Sequence, residues 1–273
     1  MTPCQVVMCS SCVYQLRSQL QSSTLLMRPR VACARLPGEW EGSIQVATDD
    51  CEGSSVCSGV FIHPQVVLTA GHCCGEGDVK AVCAGHTLPT RLLATANESF
   101  VDLGDLGEGG NNFCMLRLDR AVEGIPIYPI AKPQDLGDGD RGIVVAAGAS
   151  SESPPWTGQG TRREGQVRIQ LELGSVHILA RGEDGTAVCA GDSGGPLFVR
   201  SSAHPDSVAI AGTASHGLAG NSCSPDSEAV FISLVDGPNR DHIIAVSASW
   251  FGVEDAIYPG ECPIEECCTT MTC

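Results

Sequence analysis

Two short stretches hold residues that can do chemistry together. In CAGDSGGPLF, Ser193 sits in a glycine-rich turn, behind Asp192 and ahead of Gly194 and Gly195. Glycine takes up left-handed backbone angles at no steric cost, so such a turn can expose the serine oxygen while backbone N–H groups converge on one point. Converging amides are what a developing oxyanion requires. Read alone, D-S-G-G is equally a tight turn between strands. In CSGVFIHPQVVLTAGHCC, His72 follows the apolar run VVLTA, which leaves it at a strand end. A single histidine there is as readily a structural residue. The two stretches together favour chemistry, because a serine hydroxyl needs a base to become a nucleophile. An imidazole titrating near neutrality suits that task.

Such a pair needs a rigid frame, and the flanking sequence is β in character. SIQVA alternates, with Ile44 and Val46 on one face, and QVRIQLEL alternates with Val167, Ile169, Leu171 and Leu173 on one face. That period of two predicts half-buried strands. VVLTA, GIVVAAGA and VAIAGTA are short apolar runs flanked by turn residues, as in buried barrel strands. DLGDLGEGGNN and SSESPPWTGQGTRREG read as loops. In DHIIAVSASWF the period changes, and Ile244, Ala248 and Phe251 predict the apolar face of one late helix. Residues 1–30 read as a leader ending in the basic RPR, and 256–273 as a cysteine-rich tail.

LTAGHC and GDSGGPL, in this order, resemble the histidine and serine motifs of the chymotrypsin-like (trypsin-like) serine proteases. The resemblance covers about Val31 to Phe251, within an expected protease domain of residues 31–255. It implies an all-β fold of two packed six-stranded antiparallel barrels with a C-terminal helix and the site between them. It implies a serine endopeptidase with Ser193 as nucleophile, His72 as general base and acid, and the amides of Gly191 and Ser193 as oxyanion hole. It further implies disulfides joining Cys57 to Cys73 and Cys189 to Cys223, and a substrate-pairing strand at Ser215 to Gly217. By the same resemblance, Asp192 pairs with a new α-amino group after zymogen cleavage, and Val31, behind Arg30, is the candidate terminus. The family has two glycines soon after the cut, where this chain has VACA. Ala187 falls at the floor of the primary pocket, with Gly217 and Ala229 on its walls. An alanine floor has no carboxylate for Lys or Arg, so small or medium apolar side chains are expected.

One position departs from the family. Where an aspartate should open the pattern D-I-A-L-L-x-L, this chain has Asn112 at the head of NFCMLRL. Asp102 and Asp105 lie upstream and Asp119 lies past the strand, none at the right offset. Asparagine has nearly the shape of aspartate and no charge. With its NH₂ against the ring it favours the histidine tautomer that cannot act as base. A slow enzyme and a pseudoprotease that keeps the groove as a binding module are both consistent with this substitution.

The balance is acidic, with 32 Asp and Glu against 16 Lys and Arg in 273 residues, so the basic footprint of a nucleic-acid binder is absent. The expected partners are protein or peptide substrates and protein inhibitors. Sixteen cysteines point to an oxidising compartment, extracellular or periplasmic. QVVMCSSCVYQL lacks the basic start of a secretory signal. No stretch reaches the ~20 apolar residues of a membrane span. A metal site at His72, Cys73, Cys74, Cys83 and His86 is the weaker reading of those residues, and no metal or cofactor is expected.

Overall fold

The computed structural model describes residues 42–47, 51, 57–75, 80–84, 91–102, 112–150, 157–171, 176–183, 185–200, 208–217, 223–224, 228–252 and 256–257. Twelve strands occur among them. The first six are β1 (Ser43–Ala47), β2 (Cys57–His63), β3 (Val66–Ala70), β4 (Ala81–Ala84), β5 (Arg91–Asp102) and β6 (Phe113–Leu118). The second six are β7 (Arg141–Ala146), β8 (Arg163–Leu171), β9 (His177–Gly182), β10 (Pro196–Arg200), β11 (Val208–Gly217) and β12 (Glu228–Ser233). They close into two barrels, in the orders β1-β2-β3-β6-β5-β4 and β10-β11-β12-β9-β8-β7, with every pairing antiparallel. One helix, α1 (Gly237–Phe251), follows.

Closure and packing explain the long apolar runs. In the first barrel Val67, Phe61 and Leu116 fill the interior, while Leu68, Phe113 and Met115 turn outward. Those outward residues meet Val145, Phe198, Ile210 and Ile232 of the second barrel and Ile243 of α1. A strand buried on both faces has no polar side, so FCML reads as a continuous apolar run. The same packing corrects the expectation for SIQVA. All five residues are buried, because the polar ones face the second barrel and find partners there. Ser43 Oγ donates to Val145 O (3.2 Å) and Gln45 Nε2 to Gly160 O (2.8 Å). In QVRIQLEL, Val167 and Ile169 are buried, β8 ends at Leu171, and Leu173 lies outside the described residues.

The helix forms where expected, but its buried line is Asn239, Ile243 and Ser247, not Ile244, Ala248 and Phe251. The buried polar residues hydrogen-bond nearby in the chain, although Asn239 Oδ1 has no partner among the described residues. Asn239 Nδ2 donates to Ser233 O (2.9 Å), and Ser247 Oγ accepts from Ile257 N–H (2.9 Å). An apolar-period rule assigns such residues to the solvent face, and hydrogen bonding overrides it here. No helix among the described residues is long and apolar enough to cross a membrane. The leader 1–30 and, apart from Ala256 and Ile257, the tail lie outside the described residues.

Candidate active site

Strand register brings the candidate residues together. β3 and β6 pair with Ala70 opposite Phe113, so the residues just after β3 adjoin the residue just before β6. These are His72, in the 3-10 turn Gly71–Cys73, and Asn112. Gly71 N–H donates to Asn112 O (2.8 Å), and Cys74, bonded to Cys114, ties the same turn to β6. Asn112 is the one non-glycine residue with positive φ among those described, at 24°. Asparagine and aspartate tolerate that region better than most residues.

The Asn112 carboxamide has a defined orientation. The backbone N–H of His72 donates to Oδ1 (3.0 Å), and Nδ2 donates to Ser215 Oγ (2.7 Å). A flipped amide would set NH₂ against the His72 N–H, donor against donor. In the observed orientation Nδ2 lies 3.1 Å from His72 Nδ1 and Oδ1 lies 3.3 Å from it. Nδ1 can accept from the second NH₂ hydrogen or donate to Oδ1, so each tautomer of the neutral ring finds a partner on Asn112. Burial pushes the His72 pKa below its ordinary value, and the Asn112 contact offsets part of that. No other described carboxylate substitutes. Asp102 Oδ2 is 3.3 Å from His242 Nδ1 on α1, and Asp119 accepts from Thr95 N–H and Arg120. Asp105 lies outside the described residues.

The turn around Ser193 enters β10 and is bonded to both barrels. Gly194 N–H donates to Ala214 O (2.7 Å), next to Ser215 on β11, and Ser58 N–H of β2 donates to Ser193 O (2.8 Å). Gly194 has φ of 81°, and a Cβ there would collide with Thr69 Oγ1 and Ser58 O. Ala149 N–H donates to Ala190 O (2.8 Å). In a trans peptide the carbonyl and the next N–H point opposite ways, so Gly191 N–H faces away from Ala149. Asp192 gives both carboxylate oxygens to backbone, accepting from Gly148 N–H (2.7 Å) and Cys189 N–H (2.7 Å). Burial raises its pKa to about 6, against the pull of those two bonds and of the Arg163 charge.

Cys57 is joined to Cys73 and Cys189 to Cys223, with further bonds Cys51–Cys83 and Cys74–Cys114. Cys57, His72 and Cys73 cluster closely enough to hold a metal, but both sulfurs are already in a disulfide. Gly217 and Ala229 are directly paired across β11 and β12. Ala187 instead lines a 360 Å³ cavity with Thr186, Cys189, Asp192, Cys223 and Arg163, which Gly217 and Ala229 do not reach. Val31 lies outside the described residues. Sequence reasoning missed Ser58, Thr69 and Gly148. Ser58 stands beside Cys57, but no spacing rule marks a serine whose partners lie 89 and 133 residues away.

A family model described as Trypsin matches residues 30–236. The chain belongs to the trypsin family. Human granzyme M is 30% identical to this trypsin-family chain over 172 residues, 53% of this chain and 64% of granzyme M. Glucanase inhibitor protein 1 of Phytophthora sojae is 24% identical over 188 residues, 61% of this chain and 70% of that protein. The trypsin-family chain thus spans slightly less than two thirds of the length of granzyme M. Among solved structures, neuropsin, a serine protease of mouse brain, superposes with a TM-score of 0.59 at 18% identity. It covers 81% of this chain and 100% of its own, a likeness of fold.

Proposed function

We propose that this trypsin-family chain is a serine endopeptidase of reduced turnover. Ser193 Oγ attacks the scissile carbonyl as His72 Nε2 takes its proton. The amides of Gly191 and Ser193 hold the oxyanion, and His72 returns the proton to the leaving amine. Water then hydrolyses the acyl-enzyme by the same route. The observation that carries this reading is the Ala149 N–H to Ala190 O bond, which directs Gly191 N–H away from the adjoining segment. Turnover is reduced because Asn112 favours Nε2–H, and only the minor tautomer or a deprotonated species can act as base. Family membership supports protein or peptide substrates, and the four disulfides among the described residues support an oxidising, extracellular or periplasmic setting. Cleavage at Arg30–Val31 and a preference for small or medium apolar side chains above Ala187 belong to the same proposal.

A fluorophosphonate probe tests the reaction. Ser193 is expected to label slowly at pH 7 and faster toward pH 10, and absence of labelling from pH 6 to 10 would reject the enzyme. Equal cleavage of Arg and Val or Ala peptides would reject the pocket assignment, and Met1 intact in fully active material would reject processing at Val31. A second reading, a pseudoprotease that binds proteins through the groove, is favoured by Asn112. The glucanase inhibitor proteins among its relatives would make glucanases a partner class for that reading.

A further inference from the structure

Residues 147–149, which follow β7, face the nucleophile turn with three successive backbone amides. Ala147 N–H donates to the buried Ser58 Oγ (3.0 Å), which donates in turn to Gly191 O (3.0 Å). Gly148 N–H donates to Asp192 Oδ1 (2.7 Å), and Ala149 N–H to Ala190 O (2.8 Å). Residues 190, 191 and 192 are thus each gripped by one amide of this strap. In an extended strand successive N–H groups turn to opposite sides, so a segment with all of them on one side must be held from behind.

Two groups do that. Gly160 N–H donates to Ala147 O (2.7 Å). The Arg163 guanidinium, at the start of β8 and paired across to Ala146, donates from Nη1 to Gly148 O (2.9 Å) and from Nη2 to Gly158 O (2.7 Å). Arg163 therefore grips the carbonyl of Gly148, the residue whose N–H grips Asp192. Close approach is built in, since a Cβ on Gly148 would collide with Asp192 Oδ1. A planar fork of donors suits this bridging of two carbonyls, and an ammonium on a flexible stem does not match it.

We infer that Arg163 is a positioning residue that sets the oxyanion turn through the Gly148 peptide, from within the second barrel and whether or not the chain is cut at Arg30–Val31. The inference rests on the peptidase reading and adds to it a cation fixed in the fold. The Arg163 charge also helps keep the Asp192 carboxylate ionised.

The test uses the full chain carrying Asn112→Asp, both with its N-terminus intact and after cleavage at Arg30–Val31, and measures fluorophosphonate labelling together with hydrogen exchange. Arg163→Gln is expected to cut the labelling rate about tenfold, a fraction of the 10²–10³ that loss of a direct oxyanion donor costs. Arg163→Lys should recover little, and millimolar guanidinium should restore Arg163→Ala. Arg168→Gln, on the same strand but paired with Glu183, should change nothing. Amide exchange should quicken only at 147–149 and 189–195. Equal labelling with and without Arg163, or exchange that quickens throughout both barrels, overturns the inference. No labelling of the Asn112→Asp chain in either form, with exchange still selective, overturns the peptidase reading alone.

Discussion

The Asn112 carboxamide gives its oxygen to the backbone N–H of His72 and sets its nitrogen 3.1 Å from the Nδ1 of the same residue. One residue thus holds the histidine in place and, in the function proposed above, holds its proton on Nε2. Position and protonation are separable here because the first depends on the oxygen and the second on the NH₂.

Replacing that NH₂ by oxygen separates the two effects. Asn112→Asp keeps the Oδ1 bond and turns Nδ1 into a donor, so Nε2 becomes free to accept. Turnover is expected to rise by up to about 10⁴-fold, the loss measured for the reverse change in a family member. The Michaelis constant should barely move, because the change acts on proton transfer. Steady-state kinetics on a Val or Ala peptide, read as kcat against KM, checks this.

Asp192 makes stability depend on pH in an unusual direction. Its pKa is about 6 in the fold against an ordinary value of 3.8, so between these values the folded chain binds more protons than the unfolded one. A raised carboxylate pKa gives stability that is present below the unfolded value and lost as pH rises through the folded one. This group alone removes about 3 kcal/mol as pH climbs from about 4 to about 6. Urea denaturation at half-unit pH steps should show Asp192→Asn, lacking this titration, with a correspondingly different slope across that window.

The same carboxylate affects activity with the opposite sign. Gly148 and Cys189 N–H groups bond the charged form best, so protonation near pH 6 loosens the turn that carries Ser193. His72, with its pKa lowered, stays neutral further into acid. The acid limb of probe labelling in the parent chain, with Asn112 in place, is therefore expected near pH 6. Arg163→Gln should move it upward.

Ser58 is fully buried and bonded on both sides. Ser58→Ala leaves the Ala147 N–H and the Gly191 carbonyl without that hydroxyl, at a cost of about 1–3 kcal/mol. Thermal unfolding reads the stability change, and probe labelling should fall as Gly191 loses its hold.

The Cys74–Cys114 bond ties the histidine turn to β6 across 40 residues. Changing both to serine should cost about 2–4 kcal/mol. The loss should appear in chemical denaturation, with hydrogen exchange fastest at residues 71–74. A variant as stable as the parent would show that Gly71 N–H to Asn112 O and the strand pairing hold the turn unaided.

The sequence by itself determined the β architecture, the two candidate catalytic residues and the anomaly at 112. These are local signals: a period of two in QVRIQ, glycines around Ser193, and an apolar run after Asn112. It could not show which polar residues are interior, because Ser43 and Gln45 are bonded by partners distant in the chain and Asn239 and Ser247 by backbone beyond the two helix ends, and hydropathy patterns record only the apolar side of burial. Nor could it orient the Asn112 amide, since the deciding group is a backbone N–H, identical in every residue and positioned only by the β3–β6 register. The tertiary structure alone decided how the turn of Ser193 is held. Ser58, Gly148 and Arg163 act on it across barrel closure and domain packing, where separation along the chain carries no information about distance in space.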